Sequence, residues 1–283
     1  MMDRLKVLLQ YALPKRLLTT FAGRIASAKS GAATTRLIRW FVGKYNVDMK
    51  EAADPQLSSY KSFNEFFTRP LRAGARPLAD ASFICPVDGA ISQFGAIDDG
   101  HIVQAKGHRF TTVELVGGDP ALASQFRGGS FANLYLSPKD YHRIHMPCAG
   151  RLMRMIYVPG ELFSVSPTTA RGVPNLFARN ERVVCVFDAG EFGELVMVLV
   201  GATIVGSMET VWHGVVNPTR PKQVVEWTYD DQNIVLEKGT EMGRFLLGST
   251  VIMLFQHGIV EFNGDWAPEQ SVRLGERMGD CPI

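Results

Sequence analysis

Apolar positions in the first fifty residues recur at helical spacing. Leu17, Leu18, Phe21, Ala22 and Ile25 fall on one stripe, and Leu37, Ile38, Phe41, Val42 and Tyr45 on another. Pro14 and Gly31 punctuate the segment, which predicts roughly three amphipathic helices. Residues 51–80 are polar apart from an aromatic knot, Phe63-Asn64-Glu65-Phe66-Phe67-Thr68-Arg69-Pro70-Leu71-Arg72. That stretch reads as a docking segment. Its arginines could serve an anionic ligand, but surface packing is the default. From about residue 81 the period shortens and glycines break up the apolar runs. Strands are expected over 90–94, 102–104, 131–136, 151–158, 182–187, 195–205, 223–229, 245–247, 251–255 and 259–262. With no amphipathic helices expected between them, these imply a mainly β, antiparallel sandwich or barrel-like body. The division expected is a helical segment 1–50, a linker 51–80 and a catalytic body 81–283.

Charge sharpens the picture of the N-terminus. Residues 1–50 hold ten Lys/Arg against two acids, a net +8, and the other 233 residues carry twenty basic and twenty-six acidic side chains, a net −6. A basic face opposite an apolar stripe suits either a helical subdomain packed on the body or a segment lying in an anionic membrane surface, and the second is favoured. The aromatic residues sit on the apolar stripe and do not interleave with the basic ones, which counts against nucleic acid. No apolar run is long enough for a transmembrane helix, and no secretory signal is recognisable. The four cysteines, Cys85, Cys148, Cys185 and Cys281, lack a paired spacing and read as reduced thiols of a cytosolic protein.

Three stretches carry candidate chemistry. In Leu247-Gly248-Ser249-Thr250 a tight break between two buried strands is expected. There the Ser249 hydroxyl could reach the carbonyl of Gly248, which no side chain shields. A hydroxyl held against its own preceding carbonyl can cut the chain without water. In Tyr141-His142-Arg143-Ile144-His145-Met146-Pro147 two histidines stand three residues apart. His142, His145 and Cys148 have metal-ligand spacing, but no further cluster supplies remaining ligands. Pro86-Val87-Asp88-Gly89 places a carboxylate in a turn. A nucleophile, a base and an orienting carboxylate could thus come from Ser249, one of the histidines and Asp88.

These motifs together resemble the phosphatidylserine decarboxylases of the bacterial, membrane-associated type. The likeness also rests on Phe66 to Arg72, Val158-Pro159-Gly160-Glu161-Leu162-Phe163-Ser164-Val165, Asn180-Glu181-Arg182, Lys238-Gly239 and Glu241-Met242-Gly243-Arg244-Phe245. The resemblance implies a proenzyme cut between Gly248 and Ser249 into a large chain 1–248 and a small chain 249–283. Ser249 would become a covalent pyruvoyl group by way of an ester, β-elimination and loss of ammonia. His145 would be the base for that step, with Asp88 orienting it, and His142 would move protons during decarboxylation. The pyruvoyl ketone would form a Schiff base with phosphatidylserine and release CO2 and phosphatidylethanolamine, with neither metal nor pyridoxal phosphate. A peripheral place on the cytoplasmic face of the cell membrane and a homodimer of processed units are also implied. Two rivals use the same residues differently. A serine or metal hydrolase would keep Ser249 intact, and a non-catalytic lipid-binding sandwich would ignore His145.

Overall fold

The computed structural model of the chain describes residues 2–105, 107–203, 207–216, 220–246 and 249–282. Three N-terminal helices follow the predicted punctuation: α1 (Met2–Ala12), α2 (Lys15–Ser27) and α3 (Ala32–Tyr45). The left-handed Asn46 ends α3. A short helix α4 (Phe63–Phe67) is capped by Ser62, whose hydroxyl accepts from the Glu65 N–H. Ile38, Phe41, Tyr60, Phe63, Phe66 and Phe67 form one small apolar cluster that binds α3 to α4. Gln10 ties α1 to the body by accepting from the Ser164 N–H at 2.9 Å.

The body is mainly antiparallel β, as expected. Its main sheet has nine strands. Eight run in the order β12 (Val225–Thr228), β7 (Gly150–Val158), β8 (Arg182–Asp188), β9 (Glu194–Val200), β15 (Ser249–Phe255), β5 (Ser130–Leu136), β2 (Gly89–Ala96) and β17 (Ser271–Val272), while β13 (Val235–Leu236) also pairs with β7. A four-stranded sheet orders β11 (Gly214–Val215), β10 (Met208–Thr210), β14 (Glu241–Phe245) and β6 (Arg143–His145). A three-stranded sheet joins β1 (Phe83–Ile84), β18 (Arg277–Asp280) and β16 (Glu261–Phe262), and β3 (His101–Ala105) pairs with β4 (His108–Thr111).

Both faces of the main sheet are buried. On one, Leu134, Leu136, Val251 and Met253 pack against Ile144, Met242 and Phe245 of the four-stranded sheet. On the other, Phe131, Ile252 and Leu254 meet Ile102 and Phe110 of the β3–β4 pair. The helices α5 (Thr112–Leu115), α6 (Pro120–Ser124), α7 (Pro167–Ala170) and α8 (Leu176–Arg179) complete that layer. A strand covered on both sides reads as a continuous apolar run, which is why 195–200 and 251–255 carry almost no polar residue.

Three expectations change. Among the described residues the pairings leave the main sheet open between β12 and β17, so it is not a barrel. Short helices do intervene between strands. Ser249 and Thr250 are not in the break: they are the first two residues of β15. Tertiary pairing overrides the turn preference of Gly-Ser-Thr here, because β5 and β9 flank β15 on both edges. Of the residues expected in strands or at the cut, 204–205 and 247–248 lie outside the described residues, Gly248 among them.

Candidate active site

Strand β15 begins at Ser249, and β5 leads to β6 through Ser137–Tyr141. The two sheets are tied together here. Ser249 pairs with Leu136 across the main sheet, and the Phe245 N–H donates to the His142 carbonyl at 3.0 Å. The Ser137 turn is local chemistry: Asp140 Oδ2 accepts from both the N–H and the Oγ of Ser137 at 2.7 Å. That turn delivers His142 just ahead of β6 and His145 at its end.

Ser249 is fully buried, and among the described residues its Oγ has no hydrogen-bond partner. Strand alternation puts it on the same face as Val251 and Met253, toward the four-stranded sheet. A buried hydroxyl without a partner is costly, and it is an uncommitted nucleophile.

His142 is also fully buried, with its ring 4.0 Å from that of Phe67. Its Nδ1 lies 2.8 Å from the Asp140 carbonyl oxygen, which can only accept, so Nδ1 carries the proton. Nε2 is left with a bare lone pair and no partner among the described residues. Burial pushes the pKa down to about 3. The sign follows from linkage. The unfolded chain takes up this proton near pH 6.5 and the folded chain does not, so stability falls as pH drops below 6.5 and continues to fall toward 3. Between pH 6.5 and 5 the loss from this one residue is roughly 1.5 kcal/mol. Denaturant unfolding at the two pH values should show that extra loss in the uncleaved chain. A His142→Phe variant should lack it, and an identical loss in the variant would assign the acid sensitivity elsewhere.

His145 is less enclosed. Its Nδ1 donates to the Gly239 carbonyl at 2.8 Å, and its Nε2 is 3.2 Å from the Tyr141 hydroxyl. Burial lowers its pKa, against the backbone hydrogen bond to Gly239 and the charge of Glu241. The ring is therefore neutral at pH 7, with Nε2 the basic atom.

Asp88 is held from both halves of the chain. Its carboxylate accepts from Arg76 Nε at 2.9 Å and Nη2 at 2.5 Å, and from the Leu274 N–H at 2.9 Å. Arg76 also binds Glu51, at 2.7 Å, and Glu51 binds Arg273, at 2.8 Å. Asp88 reaches His145 by charge: its negative field favours the protonated ring. Both ring nitrogens of His145 are engaged by Tyr141 and Gly239. A cavity of about 1000 Å³ opens beside Asp88, with Arg69, Arg76, Tyr135, Lys139 and Tyr141 in its wall. Ser249 and the two histidines are not in that lining.

Sequence reasoning singled out Asp88, His142, His145 and Ser249, but missed the Arg76 clamp and the Tyr141 and Gly239 partners of His145. Arg69, taken by default as a surface residue, is only 4% exposed. Cys148 is buried and its thiol is pushed up to about 12, so it is protonated. Among the described residues no three His, Cys, Asp or Glu side chains gather as a metal set.

Comparison with known proteins adds to this geometry. The family model for phosphatidylserine decarboxylase matches residues 63–280, and a second model, PSD, matches residues 5–46. The phosphatidylserine decarboxylase proenzyme of Dechloromonas aromatica (strain RCB) is 68% identical over 279 residues, covering 99% of each chain. That of Azoarcus sp. (strain BH72) is 69% identical over 280 residues, covering 99% of this chain and 97% of the relative. That of Herminiimonas arsenicoxydans is 69% identical over 278 residues, covering 98% of this chain and 94% of the relative.

Proposed function

The chain belongs to the phosphatidylserine decarboxylase family, and from that premise we propose how its own residues divide the work. The reaction is pyruvoyl-dependent decarboxylation of phosphatidylserine to phosphatidylethanolamine and CO2. A pyruvoyl carbonyl made from a serine of the proenzyme would supply an electrophile for the substrate amine and a sink for the electron pair left when CO2 departs. Ser249 is the serine. Its hydroxyl attacks the Gly248 carbonyl, and the chain is cut into 1–248 and 249–283. The observation that carries this assignment is the buried Ser249 Oγ, unpartnered among the described residues, at the head of the central strand.

His145, with a basic Nε2 in the field of Asp88, takes the serine proton. Asp88 holds its own place through Arg76 and Leu274. His142, whose bare Nε2 can take a proton from the substrate ammonium as the amine becomes the nucleophile, returns that proton to the carbon that has lost CO2. The test is an intact-mass spectrum under denaturing conditions, followed by CO2 release from phosphatidylserine. Two chains split after Gly248, the smaller without a free amine, are expected. A single chain with unmodified Ser249 would defeat the assignment.

The division into a membrane-surface segment 1–50, a linker 51–80 and a body 81–283 belongs to the same reading. Leu17 and Phe21 of α2 are 72% and 65% exposed, and Leu8 of α1 and Trp40 of α3 are also exposed. No helix among the described residues is long and apolar enough to cross a membrane. The helices lie in the headgroup layer at the cytoplasmic face, with lysines and arginines toward anionic lipid. Converting Leu17 and Phe21 together to Ser should weaken binding to anionic vesicles by tenfold or more, since each apolar side chain inserted contributes roughly 1.5–3 kcal/mol. Residual binding should fall further with salt. Unchanged sedimentation with vesicles would remove this face from the contact. A homodimer of processed units rests on family likeness, and light scattering on the processed protein reads it directly.

A further inference from the structure

Arg69 is the odd residue of the cavity wall. Arg76 is neutralised by Asp88 and Glu51, Arg273 by Glu51 and Arg171 by Glu269. Lys139 is exposed to water. Arg69 is 4% exposed, and no ion pair is recorded for it among the described residues. Among the described residues its Nε is buried without a hydrogen-bond partner, and its one hydrogen bond is a long one, 3.5 Å from Nη2 to the Lys139 carbonyl. The guanidinium sits 5.2 Å from the Phe66 ring centroid, which supports its plane without neutralising its charge. Burial pulls its pKa down, against the more distant charges of Asp88 and Glu51, which make no ion pair with it. A guanidinium kept dry, braced and without a paired anion is a fork waiting for a planar or tetrahedral oxyanion.

The place is as telling as the vacancy in its hydrogen bonding. Phe67, two residues earlier, packs on His142, and the charge of Arg69 is among the influences on that histidine. Arg69 therefore belongs both to the cavity wall and to the charged surroundings of the proposed proton donor. We propose that Arg69 receives the phosphodiester of the lipid headgroup. The proposal rests on the decarboxylase reading above. The substrate's other anion is its carboxylate, and the reaction itself argues against that partner. A carboxylate loses its charge as CO2 leaves, so an arginine clamped on it would favour the ground state over the transition state and slow the step. The phosphodiester keeps its charge from start to finish and can be held equally throughout. An arginine so placed acts on KM and leaves kcat nearly alone.

The test uses Arg69→Gln in two full-length backgrounds. In the Ser249→Ala chain, which needs neither cleavage nor turnover, binding of glycerophosphoserine and glycerophosphoethanolamine is followed by NMR titration. Arg69→Gln should weaken both by about tenfold or more. Equal affinity with and without the arginine, or no binding of either by the Ser249→Ala chain, overturns the proposal. A loss confined to glycerophosphoserine overturns it too, since that would place Arg69 on the carboxylate. In the processed enzyme, with cleavage verified by mass, Arg69→Gln should raise KM about tenfold and change kcat by less than about threefold. A lower kcat at unchanged KM overturns it. If Arg69→Gln does not fold, Arg69→Lys replaces it with a smaller expected loss of at least twofold, and undiminished affinity there is again negative. Should the wild-type chain neither cleave nor release CO2, the decarboxylase reading fails, while the titration still reports on Arg69.

Discussion

Ser249→Ala leaves one uncleaved chain of 283 residues without decarboxylase activity, in a fold at least as stable as the wild-type precursor. The two halves of this result have separate causes. Activity disappears because the electron sink is made from the Ser249 side chain, and no neighbouring group can supply a ketone. Stability survives because the Ser249 Oγ is buried without a partner. Deleting such a hydroxyl removes a desolvation cost and breaks no hydrogen bond, so a gain of about 1 kcal/mol is expected. That corresponds to a melting temperature unchanged or higher by ~2–4 °C. Mass spectrometry and calorimetry on the purified variant check both. Normal cleavage would move the nucleophile elsewhere, and a large loss of stability would mean that the hydroxyl has a partner in the folded chain.

His145→Ala slows self-cleavage by about 10²–10⁴-fold, because a serine hydroxyl is a weak nucleophile without a base. The residue is suited to that role by its tautomer. With Nδ1–H donated to the Gly239 carbonyl, the lone pair sits on Nε2. Burial holds the pKa below 6.5, so the base form prevails at neutral pH. Processing in the wild type should therefore be flat above pH 7 and decline only in acid, as the ring is protonated. A gel time course of the large fragment against pH measures both effects. Wild-type speed in His145→Ala would exclude it as the base, and a rate climbing steadily toward pH 9 would point to a group of higher pKa.

The N-terminal helices were legible because their period, Pro14 and Gly31 are all local signals. The long strands were legible because burial on two faces leaves apolar runs. Residues Arg143–His145 escaped notice as a strand. A three-residue element with two charged or polar ends has no periodicity to read, and its edges are defined by Glu241–Phe245, about a hundred residues on. The site was legible at the level of chemistry: Asp88, His142, His145 and Ser249 carry types and neighbours that suggest roles. Its supports were not. The clamp on Asp88 joins Glu51, Arg76 and the Leu274 N–H, and a contact 186 residues apart leaves no trace in local pattern. Arg69 reads as an ordinary charged residue until the fold buries it beside the Phe66 ring.

Strand β15 has its own consequence for the life of the molecule. It is paired along both edges, to β5 and β9, and every one of its residues is buried. A cut before its first residue severs the polymer without loosening the piece that carries it. Before the cut, this strand finds its slot as part of one molecule; after it, a dislodged 249–283 peptide would have to return from dilute solution, without the high effective concentration that the covalent link provided. Maturation is then a one-way door for folding as well as for chemistry. A processed enzyme diluted out of denaturant should recover far less activity than a precursor refolded and allowed to cut itself, and its recovery should rise with protein concentration.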